Sequence, residues 1–256
     1  FNLKDLNDFI SKKVVLTGLN NQFMSQLEQL GGSMVLWNPH VAIEVVDLGL
    51  SNSSIDQIHS WCGKVKIKVV PFDFQKYPTH VKDLSTYAFK ILAIKEGLKR
   101  HPSGILWIDA GRIAHSLSRA WNEIDGDAGI FFIALLPTKS GEGHPFPWGN
   151  SKYHHNETMK RLGLELSQVN LIQTQCDGGV QGWSTDGFFY KKAFSLLLNC
   201  ALDVNCITPK GSSRQNHLQD QTVLNAVFSK LGVDPCQGNQ LFDSENNLFN
   251  LRGMDT

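Results

Sequence analysis

The stretch Gly104 to Arg112, GILWIDAGR, constrains the fold more than any other part of the chain. Ile105, Leu106, Trp107 and Ile108 form a short, β-prone run nearly free of polar atoms. Such a run marks a strand buried on both faces of a sheet. It stops at Asp109. Ala110 and Gly111 follow, small enough for the backbone to turn and for a bulky ligand to come close, and then comes the cation Arg112. A carboxylate at the C-terminal tip of a central strand stands where open α/β sheets bind ligands. It can hold a divalent cation against a diphosphate, because hard cations take oxygen ligands and share them with phosphates. It can equally cap the next helix.

At 256 residues the chain is long enough for one large α/β domain and short for two. The expectation is a single domain over residues 1–256, with a nucleotide-binding half to about 112 and an acceptor-side half beyond. The 24 basic and 24 acidic residues cancel. No global field therefore argues for nucleic acid or an anionic membrane, and any phosphate binding must be local. No apolar segment approaches the length of a membrane span, and Phe1 opens the chain without a basic and apolar signal-like block. The chain reads as an excised domain or mature form, without membrane contact within this segment. Cys62, Cys176, Cys200, Cys206 and Cys236 show neither CxxC pairing nor the His spacing of a structural zinc site. Cys200 and Cys206 could close a small loop in an oxidising lumen, and the odd count leaves at least one thiol free or paired outside. The sequons Asn52-Ser53-Ser54 and Asn156-Glu157-Thr158 are compatible with secretory passage.

From the start, Phe1 to Lys13 carries Leu3, Leu6, Phe9 and Ile10 at the spacing of a short amphipathic helix. Val14 to Leu16 reads as a strand that breaks at Thr17-Gly18. Asn20 can then cap a helix from Asn21 to about Leu30, ended by Gly31-Gly32. Strand, turn and helix open a nucleotide-binding half, although this turn has neither GxGxxG nor GxxxxGKS. A second strand, Ala42 to Val46, ends in Asp47-Leu48-Gly49; Ser54 can cap a helix around Ile55 to Trp61. Val65 to Val70 is a third strand, and the alternating Lys64, Lys66 and Lys68 suggest a wetted face or an edge. After the aromatic loop Pro71 to Pro78, His80 to Arg100 has helical periodicity, with Tyr87 and Lys90 neighbours on one face. Lys90 can meet a phosphate there; the commoner fate of a helical lysine is exposure to water.

The runs DLGLS (Asp47 to Ser51), FDFQKYP, YAFK (Tyr87 to Lys90) and LWIDAG (Leu106 to Gly111) together resemble GT-A fold glycosyltransferases, in particular glycogenin-like nucleotide-sugar transferases. The resemblance implies an α/β, Rossmann-like single domain with a mixed, mostly parallel central sheet flanked by helices. It implicates Thr17, Gly18 and Asp47 in nucleotide contacts, Lys90 near the diphosphate, and Asp109 as the first acid of a metal-binding DxD motif. Tyr87, Ala110, Gly111 and Arg112 complete the expected cofactor-binding set. Gly111 stands where the second acid of DxD would be. The expected Mn²⁺ or Mg²⁺ is thus left with Asp109, and a metal-independent enzyme or one using Arg112 as counter-ion stays open.

The second half should supply acceptor specificity. Ala114 to Ile124 reads as a helix and Gly129 to Leu135 as a strand. The Gly- and Pro-rich Pro137 to Asn150 is a loop carrying His144 and Trp148. Trp148 and Trp183 are either acceptor contacts, stacking on sugar faces, or core plugs. His144 is an acceptor contact, a further metal ligand or a structural hydrogen-bonding group. Val169 to Gln175 reads as a strand, Gly187 to Tyr190 as another, and 191–201 as a helix. By resemblance, the glycine segment holding Gly179 floors the donor-sugar pocket, and Asp186 is a sugar or acceptor ligand. His217 to Phe228 is a last helix with Asp220 at its start, where a carboxylate suits the helix dipole. In GT-A transferases an acid followed by Gln on this late helix approaches the reaction centre, which implicates Asp220 and Gln221.

The expected activity is transfer of a sugar from a nucleoside-diphosphate sugar to a hydroxyl of a glycan or glycoconjugate, with Asp109 and Asp220 as the catalytic carboxylates. The rivals are a non-catalytic sugar-nucleotide or glycan-binding module and a nucleotidyltransferase. The expected location is the Golgi or ER lumen, the alternative the cytoplasm; no nucleic-acid partner is expected. Donor, acceptor, stereochemistry and oligomeric state are not legible.

Overall fold

The computed structural model describes residues 13–135, 153–165, 175–236 and 249–251. Residues 1–12 of the expected leading helix, the Pro137 to Asn150 loop with His144 and Trp148, and residues 169–174 of the expected later strand lie outside the described residues.

The first half runs β1 (Val14–Leu19), α1 (Met24–Trp37), β2 (Ala42–Asp47), α2 (Asn52–Ser60), β3 (Ile67–Pro71), α3 (Ala88–Arg100), β4 (Ile105–Ile108) and β5 (Arg112–Ala114). The second runs α4 (Ser118–Asp125), β6 (Ile130–Leu135), α5 (Asn156–Leu162), β7 (Gln175–Trp183), α6 (Ser195–Leu202), α7 (Val204–Ile207), α8 (Asp220–Lys230) and β8 (Phe249–Leu251). The main sheet has six strands in the order β3-β2-β1-β4-β7-β6. β3, β2, β1 and β4 are parallel, while β7 is antiparallel to both of its neighbours. This is the mixed, mostly parallel α/β sheet expected. Strand order reverses between β1 and β4, which opens a crevice at their C-terminal ends. β8 returns to pair with β5, directly after Asp109-Ala110-Gly111.

The central strands are buried on both faces, as their unbroken apolar runs require. Leu16, Trp107, Phe132 and Trp183 face one core layer with Ile91 and Leu92 of α3 and Val227 and Phe228 of α8. Val15, Leu106, Phe131 and Val180, one residue out of phase, face the other with Leu27 and Leu30 of α1 and Ile58 of α2. β3 forms one edge of the sheet; it begins at Ile67, two residues later than expected, so Lys64 and Lys66 precede it, and Lys68 pairs with the buried Glu44 of β2.

Several boundaries differ from expectation, each for a local reason. Asn20 caps as expected, its side-chain oxygen accepting from Gln22 N–H at 3.0 Å, but the capped turn is a 3-10 turn that leads into α1. α1 continues through Gly31-Gly32 to Trp37, because burying Leu27, Leu30 and Met34 outweighs roughly 1 kcal/mol of propensity per glycine. α2 starts earlier than expected, since Ser51, not Ser54, is the cap: its Oγ accepts from Ser54 N–H at 3.2 Å. Ala114 belongs to β5, and the following helix begins at Ser118. Thr79–Lys82 and Leu84–Thr86 are 3-10 turns, and left-handed Tyr87 separates them from α3. The glycine stretch Cys176 to Trp183 is itself strand β7, and its partners end there. Gly187 to Tyr190 is consequently not a strand; Phe188 and Phe189 are helical and enter the π-helical turn Tyr190–Phe194 ahead of α6.

Cys200–Cys206 and Cys176–Cys236 are disulfides, and Cys62 is free and exposed. Asp234 lies beside Cys176 and Cys236, but the disulfide uses both sulfurs, so this cluster offers no thiolate to a metal. Among the described residues no helix is long and apolar enough to cross a membrane.

Candidate functional site

β4 delivers Trp107 and then Asp109. The Trp107 ring is buried, and its Nε1–H donates to Asp109 Oδ1 at 2.7 Å, which fixes the carboxylate. Gly18 of β1 makes room for that ring: a Cβ there would lie 2.9 Å from Trp107 Cη2. α3 delivers Lys90, which is only 2% exposed. Its Nζ lies 3.1 Å from Asp109 Oδ1 and 3.0 Å from Asp220 Oδ2, and it donates to the Gly178 carbonyl at 3.0 Å. Burial works against the ammonium, but Asp109 and Asp220 outweigh it and hold Lys90 above the ordinary lysine range. Asp220, at the start of α8, is buried as well. Burial pushes its carboxyl up to about 6 against the pull of Lys90, with Asp109 adding repulsion. One ammonium thus serves two carboxyl groups, and the deeper of them ionises near neutrality.

Asp177 and the adjacent Gly178 and Gly179 of β7 form the adjoining wall. Arg112 pairs with Asp177, whose Oδ1 accepts from Gly179 N–H at 2.7 Å. Asp109 N–H donates to the Gly179 carbonyl at 2.9 Å. A Cβ at Gly179 would lie 3.0 Å from both Asp109 Oδ2 and Arg112 Nη2, so no larger residue fits without displacing them. α8 is clipped to this wall: Gly178 N–H donates to Gln221 Oε1 at 3.2 Å, and Asn225 exchanges hydrogen bonds with both backbone groups of Cys176. Tyr87 (φ 55°) and Gln219 (φ 43°) are the non-glycine residues with positive φ among those described. One precedes the helix of Lys90 and the other the helix of Asp220. Such conformations cost on the order of 1–3 kcal/mol each and gather where surrounding structure holds a site in place.

A cleft of about 510 Å³ opens above these groups. Amides of Asn20, Gln22 and Gln26 line it, with the rings of Tyr87, Phe89 and Trp107 and the charges of Lys90, Asp109 and Arg112.

Residues 1–95 match a family described as "protein of unknown function (DUF1647)". No curated protein sequence matches the chain. Solved structures do. An active-site mutant of LgtC superposes with a TM-score of 0.51 at 15% identity, over 85% of this chain and 70% of that one. The glycosyltransferase GlyE of Streptococcus pneumoniae TIGR4 gives 0.51 at 14% identity, over 92% of this chain and 46% of that one. The bifunctional glycosyltransferase WbbM gives 0.53 at 12% identity, over 85% of this chain and 37% of that one. The chain has the GT-A fold. It spans less than half the length of GlyE and of WbbM, and at these identities the likeness establishes the fold alone.

On this GT-A sheet, Gly18, Tyr87, Lys90, Asp109, Ala110, Gly111 and Arg112 line the cleft. Gly179, Asp220 and Gln221 join them through the contacts above. Thr17 is buried within β1 and Asp47 caps its own turn, with Oδ1 accepting from Gly49 N–H at 2.8 Å and Leu50 N–H at 2.7 Å; neither lines the cleft. Trp183 is not an acceptor contact. It is a core plug, fully buried edge-on against Phe132 at 5.2 Å. Because β7 runs antiparallel to β4, Trp183 pairs with Ile105 at the start of β4, the sheet end opposite Asp109. Exposed Asp186 follows it at that far end, away from the cleft.

Sequence reasoning missed Asp177, Trp107 as the hydrogen-bonding partner of Asp109, and the amides of Asn20, Gln22 and Gln26. The pairing of Arg112 with Asp177 spans 65 residues, and no local pattern announces it. The position of the amides just after the β1 turn, at the mouth of the expected crevice, was the available signal.

The donor set bears on a divalent cation. Gly111 supplies no ligand, Asp177 is committed to Arg112, and Asp220 is buried on Lys90. Asp109 faces the cleft with 38% of its side chain exposed. One carboxylate suffices for Mg²⁺ or Mn²⁺ when substrate phosphates and water complete the shell. The residues therefore fit a cation brought with a diphosphate and not a free-standing protein-only metal site.

Proposed function

We propose that this chain transfers a sugar from a nucleoside-diphosphate sugar to a hydroxyl of a glycan or glycoconjugate. The observation that carries the proposal is the Lys90 ammonium held between Asp109 and Asp220 beneath the crevice where the strand order reverses. In this reaction the bond from the anomeric carbon to the diphosphate breaks, and the electron pair leaves with the phosphate oxygen. The acceptor oxygen bonds to the same carbon and loses its proton. Lys90 would face the charge that builds on the leaving group, and a preorganised cation shielded from water stabilises such charge strongly. Asp220, with a carboxyl that ionises near 6, is suited to take the acceptor proton or to orient the sugar. Mn²⁺ or Mg²⁺ bound at Asp109 would supply Lewis-acid neutralisation of the diphosphate. Trp107 and Gly179 hold that carboxylate in position.

A second reading, a nucleotide-sugar or glycan-binding module without turnover, is favoured by Gly111 and by the commitment of Asp177 to Arg112. A nucleotidyltransferase would call for a glycine-rich basic turn after β1, and TGLNNQF is not one. The deciding experiment incubates the protein with a panel of nucleotide sugars, with and without Mn²⁺, and follows release of the nucleotide. Transfer or slow hydrolysis supports the enzyme, and binding without turnover supports the module. Absence of binding by any nucleotide sugar overturns both.

A further inference from the structure

Two disulfides and two sequons converge on a property independent of the cleft. Cys176–Cys236 and Cys200–Cys206 are closed, a chemistry that persists in oxidising compartments. Asn52 and Asn156 are both exposed, each as the first residue of its helix. A glycan is bulky and needs such surface positions. The third residues of the two sequons, whose hydroxyls complete the recognised signal, differ sharply. Ser54 is half-buried at the surface, its hydroxyl donating to Asn21 Oδ1 at 2.9 Å. Thr158 is fully buried, and its hydroxyl donates to the Cys206 carbonyl at 2.7 Å, on the loop closed by Cys200–Cys206.

We propose that Asn52 and Asn156 are N-glycosylated in a secretory lumen, and that Asn156 accepts its glycan only before the Cys200–Cys206 loop packs over Thr158. In the modification, Asn Nδ2 bonds to the anomeric carbon of an oligosaccharide carried on a polyisoprenyl diphosphate. The bond from that carbon to the phosphate oxygen breaks, its electron pair leaves on the lipid diphosphate, and the amide proton passes to a base of the transferring enzyme. Asn52 keeps its signal at the surface throughout. Asn156 loses its signal when the fold closes, so modification there competes with disulfide formation.

The test expresses the whole chain behind a secretory leader in cultured animal cells. The secreted protein is treated with the amidase that converts glycosylated Asn to Asp, and peptide mass spectrometry reads occupancy at both positions. High occupancy is expected at Asn52. Partial occupancy is expected at Asn156, rising when a membrane-permeant thiol reductant is present during synthesis, while Asn52 stays constant. N52Q and N156Q should each remove one gel shift. Folded, secreted protein bare at both positions overturns the proposal. Occupancy at Asn156 that does not respond to the reductant overturns the order of events, and Asn156 left bare even with reductant overturns its assignment.

Discussion

Lys90 is the residue on which the charges of the cleft turn. Removing it as Lys90→Met leaves Asp109 and Asp220 side by side without their counter-charge, and breaking a buried pair in this way costs about 3–5 kcal/mol. Urea denaturation near neutral pH should show a loss of that order, smaller in acid, where Asp220 can take a proton. Asp220→Asn tests the chemistry itself. If Asp220 takes the acceptor proton, turnover should fall by about 10²–10⁴ while nucleotide affinity stays within a few-fold. The wild-type rate should also climb as pH rises through about 6, where Asp220 ionises. A flat pH profile, or an Asn variant with full turnover, removes that role. Asp109 was readable at the tip of its strand. The depth of Lys90 was not, because helical periodicity places a residue on a face without saying what the opposite element brings to it.

Elements explain why the site is rigid and where its strain is held. α3 and α8 each begin just after a non-glycine residue with positive φ, Tyr87 and Gln219. Gln219, at φ 43° and ψ −115°, adopts a conformation that glycine reaches without steric cost. Gln219→Gly should therefore be neutral or stabilising by roughly 1 kcal/mol, the relief of strain exceeding the added freedom of the unfolded chain. A thermal unfolding midpoint lowered by several degrees would show that the Gln side chain matters more than its backbone. On β2, Glu44 is fully buried and meets His101, Arg100 and Lys68. Burial alone would raise its carboxyl, but hydrogen bonds from those three groups bring it down to about 2. A carboxyl lowered on folding stabilises above its unfolded value of 4.5, and the contribution fades as pH falls toward 2. Of that contribution about 2 kcal/mol falls between pH 6 and pH 3, and Glu44→Gln should reduce the difference in urea stability between those two pH values by about that amount. Strands and helices were legible as apolar runs and faces. Their ends were not, because capping by Ser51 and termination at Tyr87 depend on single side chains and dihedrals.

At the scale of the whole molecule, the sheet gathers a site from both halves of the chain, and we propose that they work as one catalytic unit. An acid at the tip of a central strand could be inferred from GILWIDAGR; the order of the strands came only with their pairing. The wall built by β7 could not be inferred, because Cys176 to Trp183 reads only as a glycine segment ahead of a later strand until β4 and β6 are paired on either side. For the same reason Trp183 stayed open between acceptor contact and core plug, and Asp186 was expected at the sugar: antiparallel insertion reverses which tip of a strand meets the ligand. Cys176–Cys236 closes a sequence separation of 60 residues around α6 and α8. Replacing both cysteines by serine should lower stability by about 2–4 kcal/mol, measured by denaturant unfolding without reductant.

Lys90 has one carboxyl partner 19 residues along the chain and the other on the last helix of the main body. During synthesis, therefore, the first half can assemble its parallel strands long before the second anion arrives. Until α8 docks, the ammonium has half of its counter-charge and Gly178 of β7 lacks the support of Gln221. Completion of the crevice is thereby tied to arrival of the C-terminal part of the fold, so a chain that stops before α8 has only part of the charge arrangement around Lys90.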